Sequence, residues 1–281
     1  SLPTRFLRHA WRVVQREKSR AALARIESLT IRLEAILRAD HARSPAALTG
    51  TSLQATFGPV HRDLFDFAAM SRLLSSPAPR GGLSESRRRR IETALATLRT
   101  QRFFAVTAAD DDALAARFVF DSTGAALEAF LQRLPEMVAL HRALHVAELE
   151  ADGLYVEAIH DPLLQAIDET SLGATDLQVF PDYLVCTGSD GRGSSPALLE
   201  ALSAGVPLKV LVQLDDLLEP FQPGRARFAF GMRDAQLAAA AMSLGDTFVM
   251  QTAASNLLQM RDAVQHGLRH PGPALFAVYA G

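Results

Sequence analysis

The sequence predicts an α/β protein, a parallel sheet with helices on both faces, preceded by a mostly helical region. Three observations predict this fold class. Short apolar runs without polar alternation lie beyond residue 150, which is typical of strands that are buried on both faces. Helical patterns separate these runs, as parallel neighbouring strands require. Before residue 150, apolar residues recur mainly at helical spacing.

The first hundred residues carry the clearest helical patterns. Apolar residues recur at helical spacing over residues 4–40, which predicts one long or two shorter amphipathic helices. A loop rich in Pro, Gly, Ser and Thr is predicted over 44–58, followed by a helix over 61–74. After a second loop, an arginine-rich helix is expected, capped by Ser84 or Ser86.

The following fifty residues are predicted to be a mostly helical connector. The segment RFFAV, residues 102–106, has the composition of a strand, and a turn with a short helix or hairpin is expected after it. From Ser122 the pattern is helical again, and Pro135 is expected to break or kink that helix.

Beyond residue 150, strands and helices are predicted to alternate. Gly205 and Gly245 are expected to close two of the helices, and Ser255 to cap the last one. The predicted strands are Tyr183–Thr187, Leu208–Gln213, Thr247–Gln251 and Ala274–Tyr279.

Ligands of such sheets bind at the carboxyl ends of the strands. The candidate binding segments are therefore residues 188–195, 214–220 and 252–256. The sequence as a whole predicts three domains: a basic helical region over 1–100, a helical connector over 101–150, and an α/β domain over 151–281.

Composition excludes several classes of protein. Hydrophobic residues make up 48% of the 281 and charged residues 21%, so the chain can bury a core and disorder is excluded as its main state. The sequence contains no run of about 18 apolar residues, so we expect a soluble, cytoplasmic protein without a membrane partner. Cys186 is the single cysteine and cannot by itself hold an iron–sulfur cluster. The chain begins at Ser1, and we expect it to be a segment of a longer polypeptide.

The charge is distributed unevenly. Residues 1–100 carry a net charge of +10 and the rest a net charge of −12, so the two parts are expected to attract each other. The densest basic cluster is Arg87, Arg88, Arg89 and Arg90. No aromatic residues lie between these arginines and no nucleic-acid-reading motif is present, which makes an acidic protein neighbour or solvent a better expectation than nucleic acid.

The carboxyl-terminal third resembles a known family. The stretches ALSAGVPLKVLVQ and RDAQLAAAAMSLGDTFVMQTAASNLLQMRDAVQHGLRHPGPALFAVYAG resemble the thiamine-diphosphate-binding domain of pyruvate:ferredoxin oxidoreductases and related 2-oxoacid oxidoreductases. The likeness spans residues 183–281. The positions that carry it are Met242, Ser243, Gly245, Val249, Gln251, Ala254, Ser255, Gly272, Pro273, Ala274 and Tyr279.

The resemblance implies a cofactor site after the first two of these strands. Members of the family hold thiamine diphosphate through a divalent ion with oxygen ligands, the first of them an aspartate in a Gly-Asp-Gly turn. Ser189-Asp190-Gly191 is the nearest match here, with Gly188 and Gly193 in the same turn. The metal ligands, for Mg²⁺, are then Asp190 and, in the next loop, Asp215 or Asp216.

The resemblance also implies partners. In the family the cofactor lies between this domain and a second one, and nothing over residues 1–150 has the pattern of that second α/β domain. Other domains or subunits of a larger oxidoreductase would supply it, together with the iron–sulfur clusters; a homodimer is compatible as well. Two alternatives stay open: a non-catalytic scaffold that kept the fold, and a regulatory domain that binds a nucleotide or phosphate at the Gly188 turn.

Three smaller groups are weaker candidates for metal binding. His141, His145 and Glu148 share a helix face at chelating spacing, but a surface or interface stripe is the commoner use of that pattern. His266 and His270 repeat the spacing near a helix end. A further group, Asp110, Asp111 and Asp112, is expected to be a solvated turn or helix start.

Overall fold

The structure is a computed structural model that describes residues 1–44, 47–57, 66–75, 82–104, 108–187, 195–214 and 232–279. The chain divides into two compact units. Unit 1 comprises residues 1–24, 101–139 and 165–281, and unit 2 comprises residues 25–100 and 140–164. The predicted three-domain division, with boundaries at 100 and 150, stays a prediction.

Helices fill most of the chain up to residue 177, and strands and helices alternate from residue 183 onwards. The helices are α1 Leu2–Arg43, α2 Gly50–Phe57, α3 Phe67–Ser75, α4 Glu85–Thr100, α5 Ala108–Phe118, α6 Thr123–Ala151, α7 Glu157–Ala166, α8 Ala174–Leu177, α9 Ser195–Ser203, α10 Met232–Met242 and α11 Arg261–Arg269, with a short 3-10 helix at Ala254–Asn256. The strands are β1 Val119–Phe120, β2 Tyr183–Thr187, β3 Leu208–Leu214, β4 Phe248–Ala253 and β5 Ala274–Tyr279. The mixed α/β class is therefore confirmed.

Unit 1 contains a parallel sheet. Within the described residues it has five strands in the order β1-β2-β3-β5-β4, and every neighbouring pair is parallel. The connections from β2 to β3 and from β3 to β4 run in one direction across the sheet, and the connection from β4 to β5 runs back. Because such connections are right-handed, α9 and α10 belong on one face and α11 on the other.

The central strands form the core of unit 1. All six residues of β5 are buried, as are the first four of β2 and the first four of β3. The edge strand β4 is only partly buried. Continuous burial explains why these segments read as apolar runs without alternation.

Two glycines end helices as predicted. Gly205 follows α9 with a φ of 68°, and Gly245 follows α10 with a φ of 80°. Both angles lie in the left-handed region that glycine adopts without steric cost, so the chain can turn from each helix towards the next strand.

Four local expectations differ from the structure. Of the predicted strand RFFAV, Phe103 and Phe104 form bends, and residues 105–106 lie outside the described residues. Phe103 packs edge-on against Phe180 with ring centroids 5.2 Å apart. The predicted loop over 44–58 contains α2. The last helix begins at Arg261, so Ser255 lies in the 3-10 helix and does not cap it. Finally, α6 continues through Pro135 without a break.

Of the two alternatives expected at the amino terminus, one long helix or two shorter ones, the structure has the single long helix. α1 runs for 42 residues without interruption, and it begins at Leu2, two residues before the predicted start. Ser84 caps α4, because its Oγ accepts a hydrogen bond from the Arg87 amide at 3.2 Å. Within the described residues, no helix is long and apolar enough to cross a membrane.

Candidate functional site

The carboxyl ends of the strands of unit 1 meet at one edge of the sheet, which we call the carboxyl rim. β2 and β3 are direct neighbours, with Thr187 aligned to Val212, and Leu214 at the end of β3 is aligned to Tyr279 at the end of β5. Ala253 at the end of β4 is aligned to the same tyrosine. All three candidate binding segments therefore leave the sheet at this rim.

The predicted site residues themselves lie outside the described residues. This holds for Gly188, Ser189, Asp190, Gly191 and Gly193 after β2, and for Asp215 and Asp216 after β3. The structure describes the strand ends from which the two loops begin. Gly188 follows Thr187 and Asp215 follows Leu214 directly in sequence, and the two strands are neighbours about 4.8 Å apart.

The described part of the rim carries amide and hydroxyl groups that are bonded within the protein. Gln213 donates through Nε2 to the Thr4 hydroxyl at 2.8 Å, and Gln251 is hydrogen-bonded to the hydroxyl of Tyr279. The Thr187 hydroxyl donates to the Leu211 carbonyl at 3.1 Å. Asp121, which follows β1 directly, is the described carboxylate at a strand end of the rim, and it lies 3.7 Å from Arg8. Asp190, Asp215 and Asp216 would therefore have to supply the unpaired charged ligands of a divalent ion.

Cys186 lies beside the rim but is shielded from it. Its side chain is buried in β2, and burial raises the pKa of its thiol, while the neighbouring Arg8 guanidinium opposes that rise. A raised pKa leaves little thiolate at neutral pH, and the thiolate is the reactive form. Cys186 therefore acts as a small core residue.

A cavity of about 310 Å³ lies beside the carboxyl end of β1. Sequence reasoning missed it, although the spacing of Arg8 and Arg12 by one helical turn was a usable signal. Arg8 lies 3.7 Å from Asp121, the residue that follows β1, and Arg12 lies 3.2 Å from Asp112. Trp11, Ala115, Ala116 and Val119 complete the lining. The charges of the four polar side chains cancel, and each arginine already has a carboxylate partner.

A buried polar cluster lies at the opposite, amino end of the strands. Asp182, just before β2, accepts hydrogen bonds from Gln15 and Lys18, both at 2.7 Å. The Nζ of Lys209 donates to the carbonyls of His270 and Gly272 and lies 3.9 Å from Asp182. Burial lowers the pKa of Lys209 to about 8, and Asp182 counteracts the decrease.

In unit 2, the arginine cluster of α4 is satisfied by carboxylates. Arg87 and Arg90 donate through Nε to the two oxygens of Glu150 at 2.7 and 2.8 Å, and the side chain of Glu150 is fully buried. Arg88 donates to Asp40 at 2.6 Å. The Leu83 amide and then Arg88 hold the pKa of Asp40 below its usual value. The acidic neighbours of Arg87, Arg88 and Arg90 are therefore carboxylates of this same chain.

Tyr155 extends the same cluster. The guanidinium of Arg90 lies 3.8 Å from the centre of the Tyr155 ring, and the tyrosine hydroxyl donates to Asp161 at 2.5 Å. Burial and then the Asp161 carboxylate raise the pKa of Tyr155 to about 12. Tyr155 is therefore neutral at physiological pH and acts as a donor.

The histidine pairs are engaged with other groups. His141 and His145 contact each other through their Nε2 atoms at 3.1 Å, and Glu148 accepts a hydrogen bond from Arg25 at 2.8 Å. His270 contacts the Asp246 carbonyl at 3.0 Å, and His266 lies beside the Phe248 ring. Within the part of the chain that the structure describes, no group of three His, Cys, Asp or Glu side chains is arranged to hold a metal.

Asp110, Asp111 and Asp112 lie near the start of α5, which is one of the two positions expected for them, and the Asp112 side chain is exposed. The side chains of Asp110 and Asp111 lie outside the described part.

No protein-family model, no curated protein and no solved structure matches this chain.

Proposed function

We propose that the chain is a segment of a 2-oxoacid:ferredoxin oxidoreductase-like protein whose unit 1 has the thiamine-diphosphate-binding fold. The observation that carries the proposal is the parallel pairing of β2 with β3, with Thr187 aligned to Val212. This pairing starts the two predicted ligand loops from adjacent points on one rim. The amino-acid sequence of residues 183–281 also supports the proposal, because it resembles that family.

The assignment of ligands follows from the chemistry of the cofactor. A divalent ion that bridges a diphosphate needs hard oxygen ligands, which Asp190 and either Asp215 or Asp216 would provide. Gly188, Ser189, Gly191 and Gly193 precede the start of α9 and would present backbone amides to the phosphate oxygens. When bound, thiamine diphosphate supplies the carbanion chemistry that oxidative decarboxylation of a 2-oxoacid such as pyruvate requires.

Electron transfer would depend on other domains or subunits. Cys186 is the single cysteine of the chain and is buried, so iron–sulfur clusters would be held outside this segment. The second domain that closes the cofactor pocket in the family would also come from outside. In this proposal, unit 1 supplies the diphosphate half of the site.

The proposal is tested by calorimetry on the full 281-residue chain. We expect saturable binding of thiamine diphosphate in the presence of Mg²⁺, weakened at least tenfold by Asp190→Ala. Glu200→Ala is the matched control, because Glu200 is an exposed acid on α9, the helix that follows the candidate loop. Equal binding by both variants, or no heat at millimolar cofactor, would overturn the proposal.

A second candidate function is a non-catalytic interaction module. The observation that favours it is α7, a helix without a single buried residue. Ile159 and Leu163 are one turn apart on α7 and are 55% and 61% exposed, and Leu154 and Val156 before the helix are exposed as well. Exposed apolar groups of this kind commonly mark interaction surfaces.

Sedimentation analysis distinguishes the second candidate from the first. If α7 associates with a second copy, the wild-type chain should show concentration-dependent self-association that is lost in the Ile159→Asp/Leu163→Asp variant. The cofactor titration should then give no heat. A monomeric wild type would contradict the homodimeric form of the module.

A further inference from the structure

A second cavity in unit 1 is lined by three arginines that have no acidic partner among the described residues. It has a volume of about 210 Å³. Phe118 immediately precedes β1 and Tyr183 begins β2, so the cavity lies towards the amino ends of these strands and away from the carboxyl rim. Its lining consists of Arg102, Phe103, Arg117, Phe118, Arg133 and Glu136.

Two of the three guanidinium groups are held by neutral groups. Arg117 donates through Nη1 to the carbonyl of Arg102 at 2.8 Å. Arg133 donates through Nη1 to the carbonyl of Arg117 at 3.0 Å and contacts the hydroxyl of Tyr183 at 3.4 Å. These contacts fix the side chains of Arg117 and Arg133 and leave most of their guanidinium N–H groups available. Arg102 lines the cavity and accepts the hydrogen bond of Arg117 through its backbone carbonyl, and its own side chain is exposed.

Aromatic rings orient the central arginine. The guanidinium of Arg133 lies 4.6 Å from the centre of the Phe118 ring and 5.7 Å from that of Tyr183. A guanidinium over an aromatic face is stabilised without losing its charge. Arg133 is therefore preorganised, and a ligand would not have to order it.

The charge of the cavity is unbalanced. Among the described residues, none of the three arginines has a carboxylate within 4 Å, and Glu136 is the one acid in the lining. The cavity thus carries a net charge of +2. Three cations brought together without a counterion repel each other, so an arrangement of this kind favours a bound anion.

We propose that this cavity binds a phosphoryl dianion, the charged group of a small phosphate monoester or of inorganic phosphate. Guanidinium forks match the oxygens of phosphate in geometry and charge. The dianion would neutralise the net charge of the lining. A volume of about 210 Å³ corresponds to roughly seven water molecules, which is enough for a phosphoryl group with a short organic part.

The proposed phosphoryl site is independent of the proposed cofactor site. The arginines lie before β1 and on α6, whereas the candidate cofactor loops follow β2 and β3. A nucleic acid is less well matched, because a net charge confined to three arginines around a small cavity offers no track for a polymer backbone. The site would suit recognition of a phosphorylated metabolite.

The test is a calorimetric titration of the full chain, with inorganic phosphate and glycerol 3-phosphate in separate arms. At pH 7.5 and low salt we expect saturable binding of at least one, weakened about tenfold by Arg102→Gln and by Arg117→Gln. Arg269→Gln is the control, because Arg269 is an exposed arginine of unit 1 that is paired with Glu17. The two arms distinguish a free phosphate site from one that needs the organic part.

A pH series and a competing ligand make the test specific. Since the second pKa of a phosphate monoester is about 6, binding should weaken several-fold at pH 5.5, where the ligand is mostly a monoanion and the arginines keep their charge. Succinate should bind at least tenfold more weakly. Binding that the two variants leave unchanged, that succinate matches, or that is absent at 10 mM ligand would overturn the proposal.

The same measurement separates this site from the cofactor site. Asp190→Ala should leave phosphate binding unchanged, and Arg117→Gln should leave any binding of thiamine diphosphate with Mg²⁺ unchanged. Loss of phosphate binding in Asp190→Ala would show that the phosphate occupies the carboxyl rim, which would refute the assignment to the arginine cavity.

Discussion

Two groups of arginines, one in each unit, have opposite electrostatic surroundings. In unit 2, Arg87 and Arg90 converge on one buried carboxylate, that of Glu150, and Arg88 converges on Asp40. In unit 1, Arg102, Arg117 and Arg133 line a cavity and have no acidic partner among the described residues. The arginines of the first group have a structural role, because each is paired with a carboxylate. The lack of pairing makes the second group available to a ligand, so the same side chain has either a structural or a recognition role according to its neighbours.

The largest effect is expected when the paired group loses its acid. Glu150→Gln removes a charge that two arginines share, in a side chain that is fully buried. Breaking a buried ion pair in this way leaves uncompensated charge, so we expect a loss of about 3 kcal/mol in the free energy of unfolding from urea denaturation. The control is Glu157→Gln, which removes a half-exposed partner of Arg90 and should cost less than about 1 kcal/mol. Equal losses would show that Glu150 has no special role.

The second prediction extends the comparison to a cation that can lose its proton. The pKa of Lys209 is lowered to about 8 by burial, whereas in the unfolded chain it is near 10.5. Between these values the unfolded state binds more protons, so the free energy of unfolding should rise by about 2 kcal/mol from pH 8 to pH 10. Lys209→Met should remove most of that rise. A wild-type chain whose stability is flat over this interval would contradict the lowered pKa.

The third prediction examines the ring beneath a paired arginine. Tyr155→Leu removes the aromatic face that lies 3.8 Å from Arg90, together with the hydrogen bond to Asp161. We expect a loss of about 1.5 kcal/mol in the free energy of unfolding. Tyr155→Phe keeps the ring and should cost roughly half as much. If both variants lose the same amount, the ring contact contributes nothing.

The sheet was predictable because its signals are local. Tyr183–Thr187 and Ala274–Tyr279 were expected at the bounds that the structure shows, since each is an apolar run next to a Gly or Pro turn. By contrast, β1 has only two residues, which is too short for any periodicity. The segment RFFAV had a strand composition, but Phe103 is buried against Phe180 instead, a contact that the local sequence does not encode.

The partners of the arginines could not be predicted from the sequence to the same degree. An acidic neighbour for Arg87–Arg90 was expected from the charge asymmetry, but Glu150 lies 60 residues from Arg90 and no local pattern selects it. The cavity around Arg102 and Arg133 is lined by residues from separate elements, and we found no motif in the sequence that predicts it. The cofactor residues Asp190, Asp215 and Asp216 stay predictions from resemblance.

The smallest effect is expected where arginine has no partner. Arg102→Gln should change the free energy of unfolding by no more than about 0.5 kcal/mol, because the exposed side chain makes no ion pair with the described residues. At low salt we expect the change to be slightly stabilising, since one of the three cations that line the cavity is removed. The gain should disappear at 1 M NaCl, where charges are screened beyond about 3 Å. Arg32→Gln is the matched control: Arg32 is also an exposed arginine, but it is paired with Asp152, so its loss should be slightly destabilising at low salt. Thermal unfolding in phosphate-free buffer measures both variants, and a destabilised Arg102→Gln would mean that this arginine, too, is part of the structure.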